Sequence, residues 1–222
     1  MKKCILMFTI ILFGCSAANK ELPKILIIGD SIAGGYFPFV QKSLKGKAKV
    51  FQPSYIDENL KTKGCCGGTT QGLKEIDFFL HNKKWDIIHF NFGLHDIKHI
   101  DPVTGKNSKN LSHPHQASPK EYERNLIEII KKLQRTGAKL IFATTTPYPD
   151  KLGKQMRSPG MSKIYNQVAL KIMNNNQIIV NDLYSLVLPK VSELQIANNV
   201  HFKENGSEFL ADLVVKSITE SL

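Results

Sequence analysis

Five short apolar runs, each ending in a polar or glycine-led turn, constrain the fold of this chain more than any other feature. The first, Ile25-Leu26-Ile27-Ile28, is β-branched at three of its four positions and stops at Gly29. An unbroken run of that length reads as a strand buried on both faces. Lys49-Val50-Phe51, Trp85 to Phe92, Lys139 to Ala143 and Ile178-Ile179-Val180 repeat the pattern. Stretches with helical periodicity separate them. Alternating strands and helices predict a three-layer α/β/α sandwich around a parallel sheet of about five strands.

The helices are expected at 33–46, with an apolar stripe broken by Pro38, and at 73–80. Ser118-Pro119-Lys120-Glu121 opens another, through a capping box with proline at its first position. It runs to about Arg135 with Leu126, Ile127, Ile130 and Leu133 as its buried stripe, and Gly137 ends it. Two more fall at 161–174 and from Gly206 to Ser221. Residues 53–72 and 149–160 read as loops.

Ahead of the first strand, Met1-Lys2-Lys3 is basic and Cys4 to Phe13 is continuously apolar. The run is too short to cross a bilayer as a folded helix and has the form of a secretory signal peptide. Leu12-Phe13-Gly14-Cys15 is similar to the lipobox of bacterial lipoproteins. That divides the chain into a signal peptide at 1–15, a tether at 16–22 and a single domain at 23–222. It makes Cys15 the site of lipidation and the protein an exported, membrane-anchored lipoprotein, periplasmic or at the cell surface. Ordinary secretion with cleavage near Ala17-Ala18 is the alternative.

The 222 residues carry a formal charge of +11. Most of the cations are scattered lysines, without the clustered arginines and interleaved aromatics of a nucleic-acid surface, so no nucleic-acid partner is expected. Neighbouring cysteines pair only under strain, so Cys65 and Cys66 read as loop or packing residues. His99, His113 and His115 sit in a polar insertion at 97–117 but share no ligand spacing, which argues against a metal.

The chemistry concentrates where strands end. Asp30-Ser31 follows the first strand, and Gly93-Leu94-His95-Asp96 follows the third. Turns at the C-terminal edge of one parallel sheet converge in space. Between them, Gly67-Gly68 offers backbone amides in a glycine-rich loop.

In that order, these blocks resemble the SGNH (GDSL-type) hydrolases. Gly29-Asp30-Ser31-Ile32 matches the block that carries the nucleophile, and Gly67 or Gly68 the block whose amide faces the oxyanion. Gly93-Leu94-His95-Asp96 matches a variant of the third block, with His95 in place of the usual asparagine. Asn198-Asn199-Val200-His201 resembles the last, with Asn198 in place of the aspartate. The resemblance implies a flavodoxin-like sheet and an ester hydrolase in which Ser31 is the nucleophile and His201 the base. It gives the oxyanion to Ser31, Gly67 or Gly68, and His95, with Asp30, Gly93 and Asp96 in support and no cofactor. An amide at position 198 orients an imidazole but adds no charge. Asn198, Asn199, a backbone carbonyl or Asp182 therefore remain open as partners of His201. Short-acyl groups such as O-acetyl on a carbohydrate are the expected substrate. A lipase or lysophospholipase activity, or a non-catalytic glycan-binding role, is the alternative.

Overall fold

A computed structural model describes residues 21–53, 67–150 and 157–222. The leader with Cys15, most of the tether, and Cys65 and Cys66 lie outside the described residues. The sheet has five parallel strands in the order β2-β1-β3-β4-β5. They are β1 (Lys24–Ile28), β2 (Lys49–Phe51), β3 (Ile87–Phe90), β4 (Lys139–Ala143) and β5 (Ile179–Asn181). The central three are buried almost throughout, because helices cover both faces. Ile28 pairs with Phe90, and Phe90 with Phe142, so three strand ends share one level.

The helices are α1 (Ser31–Ser43), α2 (Thr69–Leu80), α3 (Pro119–Gln134), α4 (Met161–Asn175), α5 (Leu183–Val187), α6 (Val191–Leu194) and α7 (Glu204–Thr219). Among them α1 packs against α7, while α2, α3 and α4 pack in series. The chain leaves β1 for β2 on one side and returns to β3 on the other. That reversal opens a crevice beyond the C-terminal ends of β1 and β3, where open α/β sheets bind their ligands.

Several expected boundaries move. Helix α1 begins at Ser31 rather than residue 33 and runs through Pro38. Pro38 is exposed, and the buried stripe of Ile32, Ala33, Tyr36, Phe37 and Val40 offsets its missing N–H. Helix α2 starts at Thr69, inside the expected loop, and α7 starts at Glu204 and stops at Thr219. In α3 the capping box is present, but Ile129 is fully buried and Ile127 only partly. Within the insertion, His99 and His115 pair across a bridge and stack 4.5 Å apart. His99 donates to His113 O at 2.7 Å and accepts from Ser158 Oγ at 2.9 Å, so these rings tie loops together. Among the described residues no cluster of three or more His, Cys, Asp or Glu side chains is arranged for a metal.

Candidate active site

The apolar run of β1 ends at Gly29, and Asp30 caps α1 by accepting from Ile32 N–H at 2.8 Å. Asp30 is buried, which pushes its carboxyl up, while the Ile32 amide and the charge of Arg157 oppose the rise. The cap leaves Ser31 exposed in the first turn of α1, where amides have no partner within the helix.

His201 reaches Ser31 from the far end of the chain. Residues 195–202 form a tight turn, closed by a bridge between Gln195 and Phe202 and by Ile196 N–H on His201 O at 2.9 Å. Buried Gln195 pins the turn to the exit of β4 by donating to Pro147 O at 2.7 Å. Ser31 Oγ lies 2.8 Å from His201 Nε2.

The ring's other nitrogen decides among the partners the sequence leaves open. Nδ1 lies 2.8 Å from Asn199 Oδ1, which also accepts the His201 backbone N–H at 3.1 Å. A backbone amide only donates, so the Asn199 atom facing it is the oxygen. Nδ1 therefore carries the proton, and Nε2 is left as an acceptor for the Ser31 hydroxyl. Asn198, matched to the family's aspartate, instead takes a left-handed backbone conformation at φ 56° in the turn, and its side chain is exposed. With Asn199 on Nδ1, Asp182 is not the partner; its Oδ1 instead caps α5, accepting from Thr144 Oγ1 at 3.0 Å and from Ser185 N–H at 3.2 Å.

The turn after β3 supplies the third element. His95 is partly buried, and Lys98 Nζ lies 3.0 Å from its Nδ1. An ammonium only donates, so the ring is neutral with its proton on Nε2. Burial holds the imidazole at about 4, and the charges of Lys98 and Arg157 add to that. The Gly67 carbonyl faces the same ring and opposes the shift. Gln116 Nε2 donates to Gly67 O at 2.5 Å, so that segment is held in place. Gly93, at φ 149°, takes the chain out of β3 so tightly that a Cβ there would sit 2.2 Å from Thr145 Oγ1.

Asp96 joins this turn to the glycine segment. Its Oδ1 accepts from Thr69 N–H at 2.8 Å and Thr69 Oγ1 at 2.6 Å, at the start of α2. Burial pushes its carboxyl to about 7, while the Thr69 donors oppose the rise. Gly68, at φ 116°, fits beside it, since a Cβ would meet both carboxylate oxygens at 3.2 Å.

Lys98 and Arg157 carry no motif. Lys98 stands one turn after His95, which is its only sequence signal. Arg157 is 3% exposed and donates from Nε to Leu94 O at 2.8 Å. Burial brings its guanidinium down to about 10, against the opposing pull of Tyr148 and Asp30.

With serine, imidazole and amide in one relay at the switch point of the sheet, the chain can be compared with known proteins. The model of the GDSL-like Lipase/Acylhydrolase family matches residues 27–209. The chain belongs to that family and is an SGNH-type ester hydrolase. Its fold is similar to that of the acetyl xylan esterase AlAXEase (20% identity, 88% of this chain and 99% of that one, TM-score 0.67). It is also similar to a lipase/acylhydrolase from Enterococcus faecalis (21%, 90% and 96%, 0.70). A third neighbour is Axe2, an acetylxylan esterase from Geobacillus stearothermophilus (18%, 88% and 94%, 0.66). No curated protein matches the chain.

Proposed function

We propose that the protein hydrolyses short-acyl esters, O-acetyl groups above all, carried on a carbohydrate, and that it does so outside the cytoplasm, tethered through Cys15. The observation that carries the chemistry is the 2.8 Å contact of Ser31 Oγ with a His201 Nε2 left unprotonated by Asn199. His201 takes the Ser31 proton as Oγ attacks the ester carbonyl carbon. The oxyanion is met by the amides of Ser31 and of Gly67 or Gly68, together with Nε2–H of His95. One such donor contributes about 3 kcal/mol in the transition state. The tetrahedral adduct expels the alcohol, which receives the proton from His201. Water then attacks the acyl-Ser31, giving up its proton to His201, and releases the carboxylate and the free serine.

The acetyl xylan esterases among the similar folds support a carbohydrate carrier. A second reading, a longer acyl chain, draws on the open groove of about 460 Å³ next to the His201 turn, lined by Leu188, Pro189, Ile196 and Asn198. The non-catalytic alternative rested on Asn198, and Asn199 supplies the acceptor that it lacked.

p-Nitrophenyl esters of increasing chain length and an O-acetylated polysaccharide test the reading. The expected result is highest kcat/KM on the acetate, a fall of about ten-fold or more by the octanoate, and release of acetate from the polymer. Rising kcat/KM with chain length would move the assignment to a lipase, and no turnover of any ester would end it. Membrane fractionation of Cys15→Ser against the unaltered chain tests the tether.

A further inference from the structure

We propose that the edge of the sheet opposite the active site is a docking face for an anionic lipid surface. The strands run parallel, so all five begin at this edge and the helices that return from the site end there. The edge is one connected surface. Lys49 N–H donates to Pro23 O, Asp86 N–H to Lys24 O and Lys139 N–H to Asp86 O. Lys139 Nζ reaches Ser221 O, beyond the end of α7.

Cations crowd it. Lys45 and Lys47 follow α1, Lys83 and Lys84 follow α2, and Lys132 and Arg135 close α3. Lys49 and Lys139 open β2 and β4. Most of the carboxylates there are engaged, and Glu220 lies 4.0 Å from Lys216. Glu21 pairs with Lys24 at 2.9 Å, Asp77 with Lys132 at 2.6 Å, and Asp86 accepts the Lys24 backbone N–H at 2.7 Å. The opposite edge is mixed, with Glu121, Asp182, Glu193 and Glu204 interleaved with Lys120, Lys163, Lys190 and Lys203 at or near helix starts. Helix dipoles explain a lysine in a last turn, such as Lys132. They do not call for Lys45, Lys47, Lys49 or Lys139.

The cations also frame a receptive shape. A groove of about 660 Å³ runs between the ends of α2 and α3, where Lys83, Lys84, Lys132 and Arg135 outnumber the one carboxylate, Asp77, which Lys132 pairs. Lys83, Lys84 and Arg135 have no ion pair among the described residues, and Phe78 stands 45% exposed on α2 nearby. Ammonium and guanidinium donors around an open groove match the phosphodiester of a lipid headgroup.

The chain's own order favours a bilayer over another polyanion. It enters β1 at this edge, downstream of the apolar run Cys4–Phe13 and of Cys15. The span from Cys15 to Lys24 reaches at most about 30 Å. On the tether reading, on which this orientation rests, the basic edge faces the headgroups and Ser31 faces outward. The lysines then add attraction over the short range that salt permits.

Co-sedimentation with vesicles tests the proposal, using the chain from Ser16 onward, which on the tether reading is the mature protein without its lipid. Binding is expected to phosphatidylglycerol-containing vesicles but not to phosphatidylcholine alone, and is lost as salt rises. Each lysine near an anionic surface contributes about five-fold in partitioning. The triple variant Lys45→Glu, Lys83→Glu, Lys84→Glu should therefore bind about 100-fold more weakly or worse. Reversing Lys106, Lys109 and Lys120 should change little. Equal binding to neutral vesicles, an unaffected triple variant, an equal loss in the control, or tighter retention on heparin than on the vesicles would each overturn it. The triple variant should turn over p-nitrophenyl acetate normally, and Ser31→Ala should bind vesicles normally. Intact vesicle binding by an unaltered chain that hydrolyses no ester would therefore count against the esterase reading alone.

Discussion

Asn199 Oδ1 accepts two hydrogen bonds from one residue, His201: its backbone N–H at 3.1 Å and its ring Nδ1–H at 2.8 Å. The first fixes which way the amide points, and the second then fixes which ring nitrogen holds the proton. An uncharged side chain thus does the orienting half of a triad carboxylate's work. Asn199→Ala should lower kcat by about 10- to 100-fold with little change in KM. Asn199→Asp should stay within about ten-fold of the unaltered enzyme, and Asn198→Ala within about three-fold. Steady-state kinetics on p-nitrophenyl acetate checks this; a larger loss at 198 than at 199 would reverse the assignment.

Lys98 holds the His95 ring in the tautomer that donates from Nε2. Replacing it with methionine keeps much of the apolar stem and removes the ammonium. Lys98→Met should lower kcat about ten-fold or more, leave KM nearly unchanged, and be partly rescued by Lys98→Arg. An effect on KM alone would show that Lys98 binds substrate instead.

The buried acid and the buried imidazoles give stability opposite slopes with pH. Asp96 titrates at about 7 in the fold against an ordinary 3.8, so between those values the folded state holds the proton more tightly. Its contribution is full below about pH 4 and is lost as pH rises through 7, about 2–4 kcal/mol in all. His89 and His95, both lowered to about 4 by burial, contribute above pH 6.5, and that stability is lost as pH falls toward 4. Thermal melts across this range should show both limbs, and Asp96→Asn should flatten the alkaline one. An unchanged alkaline limb in that variant would contradict the assignment.

Gly93 combines a positive φ with a 2.2 Å approach of any Cβ to Thr145 Oγ1. Gly93→Ala should destabilise the protein by about 2–4 kcal/mol in denaturant titrations. A loss below about 0.5 kcal/mol would mean that the turn gives way easily.

The strands were legible because parallel strands covered on both faces must be apolar throughout. The capping box at Ser118 was legible because it is local. The start of helix α2 carries no local signal, because the carboxylate of Asp96, 27 residues away, binds the Thr69 amide and hydroxyl there. Ser31, His95 and His201 were legible as family blocks. Asn199 could be separated from Asn198 only once the turn was seen, since a left-handed residue at 198 brings the next side chain under the ring. Lys98 and Arg157 act through contacts that no local pattern encodes.

Labelling with a fluorophosphonate, read by peptide mass spectrometry, tests the Ser31–His201 relay most directly. One adduct is expected, on Ser31, that disappears in Ser31→Ala and forms at least about 100-fold more slowly in His201→Ala. An adduct on another residue, or labelling at an undiminished rate in His201→Ala, would contradict it.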